Sequence, residues 1–117
     1  MGLSDSKTDF DFEKKGNVLI LRIKGRLDAV SSPLVEKKVF EAIHEGQSNL
    51  LLDMSRVGYL SSAGMRMLLS ITKKLRTMSG KLAVCNVTTS VVDILKMSGF
   101  DHALHLFKTE EEALKHF

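Results

Sequence analysis

The sequence predicts a single α/β domain built on a mixed, mostly parallel sheet of about five strands with about four helices. Three observations predict it. Val18–Ile23 and Leu50-Leu51-Leu52 are apolar runs, and the second, bounded by polar residues, suits a strand covered on both faces. Stretches with helical spacing of apolar residues separate the strand-like runs, which implies right-handed crossovers between parallel strands. The chain has 117 residues, the size of one ordinary domain, and such a chain buries roughly two-thirds of the surface its unfolded form exposes.

Each element has its own signal. Residues 1–9 are rich in Ser, Asp and Lys and read as a mobile N-terminal tip, which leaves the domain as residues 10–117. Phe10 and Phe12 alternate with Asp9, Asp11 and Glu13, the period of a short first strand. Lys15-Gly16-Asn17 reads as a turn, so the opening strand pair is expected to be antiparallel. After the Val18–Ile23 strand come Gly25-Arg26-Leu27-Asp28 and a helix that Ser32 can cap, with Pro33 at its first position. Val35, Val39 and Ile43 recur every four residues along it, and Gly46 ends it.

A second helix runs from about Ser62 to Thr77, with Met67, Leu68, Ile71, Leu75 and Met78 as its apolar stripe. Ser79-Gly80 closes it. Lys81–Val87 is a strand, Thr88–Met97 a third helix stopped by Gly99, and Ala103–Phe107 a last short strand. Thr109 and Glu112 fit a capping box for a terminal helix that ends near His116.

Bulk properties narrow the function. The net charge is +3 and the pI about 9.1, with no Trp, one Tyr and no basic run longer than a pair, which argues against nucleic acid as partner. The polar start lacks the apolar stretch of a signal peptide. No window approaches the ~20 apolar residues of a membrane span, so a cytoplasmic location is expected. The single cysteine, Cys85, lies in an apolar run and reads as a buried strand residue. His44, His102, His105 and His116 are not spaced as metal ligands, and no zinc site, P-loop or Rossmann fingerprint is present. Ser61-Ser62-Ala63-Gly64 is not the Gly-x-Ser-x-Gly elbow of a hydrolase. No enzymatic activity and no cofactor are expected.

The informative segment is Asp53–Leu69, read as the end of a buried strand, a short loop and a helix start. Binding sites in open parallel sheets form at the carboxyl ends of strands. Ser61 or Ser62 can cap the helix. A helix N-terminus carries partial positive charge and unpaired amides, so a phosphate on Ser62 would leave the fold intact. It would add about two negative charges to a surface that a partner must desolvate.

The stretch Asp53–Met65, with Tyr59-Leu60-Ser61-Ser62-Ala63-Gly64 at its centre, resembles the signature of the STAS domain, in particular the bacterial anti-sigma factor antagonists. Gly25-Arg26-Leu27-Asp28 resembles the family's turn before the first helix, and Met97-Ser98-Gly99-Phe100 the end of its third. The resemblance implies a protein-binding regulator of transcription in a partner-switching pathway. Its partner would be a GHKL-type serine kinase that is also an anti-sigma factor. That kinase would phosphorylate Ser62, and a PP2C-type phosphatase would reverse the step. The implied partner-binding residues are Asp28, Ser61, Ser62, Ala63, Gly64, Met65 and Arg66. Antagonists often carry an aspartate immediately before the modified serine, where this chain has Ser61.

Two alternatives stand beside this reading. A STAS domain can be a non-phosphorylated subunit of a transport or sensory complex. A receiver-like domain phosphorylated on Asp53 would need an acidic pair near its first strand, where only Asp9 and Asp11 offer themselves.

Overall fold

A computed structural model describes residues 8–117 of the chain. The elements are β1 (Asp9–Lys15), β2 (Val18–Leu27), α1 (Ser31–His44), β3 (Asn49–Leu60), α2 (Ser62–Arg76), β4 (Lys81–Cys85), α3 (Thr89–Ser98), a 3-10 turn at Phe100–His102, β5 (His105–Phe107) and α4 (Glu110–Leu114). The expectation of a mobile tip falls largely on residues 1–7, outside the described residues, and the sheet begins at Asp9.

The sheet has five strands in the order β1-β2-β3-β4-β5. β1 and β2 are antiparallel, joined by the short turn, and every later pair is parallel. Because neighbouring parallel strands follow one another in the chain, equal-handed crossovers bring α1, α2 and α3 to the same face. There Leu21, Leu52 and Val84 of the sheet meet Val35, Val39, Leu68, Ile71, Val91 and Leu95 of the helices in one core. The opposite face carries a smaller cluster, Val18, Ile20, Leu51, Ala83 and Cys85, covered by Ala113 of α4. This double covering is why the central strands read as unbroken apolar runs.

Several boundaries differ from the sequence reading. β3 does not end near Asp53 but runs seven residues further, to Leu60. Its extension pairs with a β2 that also runs on, to Leu27, with Gly25 beside Val57, Arg26 beside Tyr59 and Leu27 beside Leu60, across two irregularities in register. Gly25, at φ +116°, takes up one of these, a backbone conformation that residues with a Cβ rarely adopt. Because of the shifts, burial along the extension falls on Met54, Val57 and Leu60, three residues apart, and the period-two strand signal is lost.

The start of α1 also differs. The helix begins at Ser31, two residues before Pro33, and Ser32 is not its cap. Asp28 does that work: its Oδ1 accepts from the amides of Val30 and Ser31, each at 3.0 Å. Ser32 is instead buried, with a hydroxyl that finds no partner among the described residues. At the far end, β4 stops at Cys85 and β5 is confined to His105–Phe107. α4 is capped by Thr109, whose Oγ1 accepts from the Glu112 amide at 3.1 Å, and it ends at Leu114, short of His116.

Candidate functional site

The paired ends of β2 and β3 are the platform of the site. Leu27 and Leu60 close the sheet register side by side. The Leu27 carbonyl accepts from the Ser61 amide at 2.9 Å, tying the start of α2 to the end of β2. Ser61 is extended (φ −85°, ψ 174°), and its side chain accepts from the Gly64 amide at 3.2 Å. Ser61 is therefore the N-cap, and Ser62 is the first helical residue, with its side chain exposed.

Gly64 is buried, and a Cβ there would lie 2.6 Å from Leu60 Cδ1 and 2.8 Å from the Leu27 carbonyl oxygen. No real Cβ tolerates such a contact with backbone, so glycine lets the first turn of α2 sit directly on the strand ends. Of the residues expected to touch a partner, Gly64 shapes the site from beneath.

The remaining site residues diverge around Ser62. Met65 points toward α3, where its Sδ accepts from the Ser98 hydroxyl at 3.2 Å. Ala63 and Arg66 face α1 across a groove of about 230 Å3 that Ser32, Pro33 and Glu36 also line. Asp28 lies beside Leu27 on the loop that adjoins Ser61. Its hydrogen bonds, that from the Ser31 amide foremost, hold its carboxyl below the ordinary carboxylate range. No hydrogen bond joins Asp28 to Ser62 among the described residues.

Several features of this surface had no local sequence signal. The exposed start of α1 carries two bare apolar side chains, Val30 at 78 % and Leu34 at 59 % exposure. Their helical neighbours Val35 and Val39 are buried, so spacing alone reveals them only once the helix phase is known. Arg26 lies 4.3 Å over the Tyr59 ring, a cross-strand pair created by the β2–β3 extension. Thr88 Oγ1 donates to the Val57 carbonyl at 3.0 Å and holds the same extension from the α3 side.

Asp53 is elsewhere. It sits within β3, on the face away from α1–α3, and its Oδ2 accepts from Arg22 Nη1 at 2.8 Å. Oδ1 accepts from the Ser55 amide at 3.0 Å and from Asn86 at 3.4 Å. Burial by itself raises its pKa, but these bonds more than offset burial and leave the carboxyl below its ordinary range. Asp9, Asp11 and Asp53 do line a common groove of about 420 Å3, together with Arg22, Lys24 and Arg56. The Arg22 guanidinium occupies the Asp53 carboxylate there and also pairs with Glu13 and Glu110. That arrangement is a structural ion-pair network and does not offer a free aspartate for phosphorylation. No group of three or more His, Cys, Asp or Glu side chains among the described residues is placed to hold a metal ion.

The family model of the STAS domain matches residues 9–113, nearly the whole described chain. The chain belongs to the STAS domain family. Among its STAS relatives, the anti-sigma F factor antagonist of Paenibacillus polymyxa is 30 % identical over 105 residues, covering 89 % of this chain and 90 % of the relative. The crystal structure of an anti-sigma factor antagonist from Mycobacterium paratuberculosis superposes with a TM-score of 0.84 at 23 % identity, over 94 % of this chain and 93 % of that one. The Bacillus cell fate determinant SpoIIAA, solved in its phosphorylated form, superposes with a TM-score of 0.71 at 22 % identity, over 92 % of this chain and 98 % of that one. At those identities the two structures establish a shared STAS fold. No helix of the described residues is long and apolar enough to cross a membrane.

Proposed function

We propose that this STAS domain is an anti-sigma factor antagonist that captures a GHKL-type serine kinase and is released by phosphorylation of its own Ser62. One observation carries the reading: Ser61 does the capping, which leaves Ser62 as an exposed hydroxyl that makes no hydrogen bond among the described residues. Arg66 follows four residues later on the same helix as an exposed cation, and the exposed start of α1 carries Val30 and Leu34 as bare apolar side chains. The anti-sigma F factor antagonist among its relatives supports the same reading.

The chemistry is a phosphoryl transfer in which this chain is the substrate. Ser62 Oγ attacks the γ-phosphorus of ATP held by the kinase. The bond to the β,γ-bridging oxygen breaks, ADP leaves, and the hydroxyl proton passes to a base on the kinase. The chain itself supplies no catalytic group. A PP2C-type phosphatase would return the serine by hydrolysis of the phosphoester. A dianion at the first position of α2 is tolerated by the helix, because the unpaired amides and the macrodipole favour negative charge there. The same dianion is costly in a desolvated interface, so the fold survives while the complex does not.

Incubation of the purified domain with the kinase of its own cell and ATP–magnesium tests the proposal. Mass spectrometry should find one added phosphate on Ser62 and none in Ser62→Ala. An unchanged phosphate in Ser62→Ala would move the site to another hydroxyl. A stable complex with a transporter subunit, with no phosphate transfer, would favour the non-phosphorylated role instead.

A further inference from the structure

We infer that Arg66 is the internal counter-ion of phosphorylated Ser62, so that modification both adds charge and withdraws Arg66 from the surface offered to a partner. The inference rests on the reading of Ser62 as the modified residue. Ser62 opens α2 and Arg66 follows four residues later in the same helix. Residues four apart share a helix face, with Cβ atoms about 5–6 Å from each other. An anion placed N-terminal to a cation at this spacing is the favourable order. Both side chains are exposed.

Arg66 is also available. It takes part in no ion pair among the described residues. Glu36 lines the same groove without pairing with it. The first turn of α2 contains no acidic residue that a phosphate would have to displace. The other nearby guanidinium, Arg26, is already stacked on Tyr59 and lies 3.8 Å from the Asp28 carboxylate. A planar guanidinium can take two phosphate oxygens at once, which suits Arg66 better than a lysine would. In the unmodified state the same free guanidinium is open to an acidic side chain of the partner, and the phosphate would compete with that partner from within the chain.

The test uses phosphoserine installed at position 62 during translation, so it needs no kinase and reads the pair whatever the partner is. The second ionisation of the phosphate is followed by 31P NMR in the otherwise unaltered chain, in Arg66→Gln and in Arg26→Gln. A free phosphoserine titrates near pH ~6. The ion pair should place the Arg66-containing chain about 0.15–0.4 pH unit below Arg66→Gln. Arg26→Gln should leave the titration unchanged, and Arg66→Lys should restore part of the shift. Equal titration curves with and without Arg66, or a shift that follows Arg26, would overturn the inference. Its failure would leave Ser62 phosphorylation itself intact, because that is read separately by mass.

Discussion

Ser61 and Ser62 are adjacent and chemically identical, yet the backbone gives them different work. Ser61 has extended dihedrals and its hydroxyl holds the Gly64 amide, so Ser61→Ala should cost about 1 kcal/mol. For a domain of this size that is a fall of roughly 4 °C in Tm, readable by calorimetry. Ser62→Ala removes no hydrogen bond of the fold and should leave Tm unchanged within error. Gly64→Ala must push a methyl into the Leu27 carbonyl and should destabilise by about 1–3 kcal/mol in urea titration. Cys85 shows the inert extreme: burial, with the Asp53 charge, pushes its thiol up to about 12. It should react with a thiol reagent at pH 8 only on the unfolding timescale, and fast labelling of the native protein would show that α4 does not cover it. The Ser61-Ser62 pair was legible in sequence because capping depends on local chemistry. Asp28 as the anchor of α1 was not, although its contacts are equally local, because Ser32 directly before Pro33 offers the more familiar start of a helix.

Elements were legible where their pattern is local and lost where a distant strand sets it. α2 and α3 end within a residue of their expected limits, because amphipathic spacing and a glycine stop mark them. β3 was read too short because Ser55, Arg56 and Gly58 resemble loop residues, and only the partnership with an extended β2 makes them strand. α4 is held by an equally non-local device. Glu110 pairs with Lys15 and Arg22, and the Lys81 ammonium donates to the His116 carbonyl at 3.1 Å. The pH dependence follows from the signs. The Glu110 carboxyl lies below its ordinary value of 4.5, chiefly through the hydrogen bond from Arg22. Its stabilisation is therefore present above that value and lost as pH falls through the lowered one. Burial, with His105 and Lys81, holds the His116 imidazole below its ordinary 6.5, so docking of the C-terminal segment also weakens as that ring gains its proton. The urea midpoint should fall between pH 7 and pH 4, and in Glu110→Gln the fall should be smaller. Equal pH dependence in the two proteins would remove Glu110 from the account.

At the scale of the molecule, the two faces of the sheet have separate duties. One carries three helices, with exposed apolar side chains at the start of α1 and the exposed Ser62 hydroxyl at the start of α2. The other is closed by α4 and an ion-pair network centred on Arg22. A modification at Ser62 therefore touches no core residue, and the switch should act on association alone. The most direct measurement is recovery of the domain with its partner from native extract, followed by addition of ATP and magnesium to the captured complex. The complex should contain a GHKL-type serine kinase, which should be released as phosphate appears on Ser62 and retained by Ser62→Ala under the same conditions. Release of the kinase from Ser62→Ala by ATP, or the absence of any kinase among the captured partners, would contradict the switch.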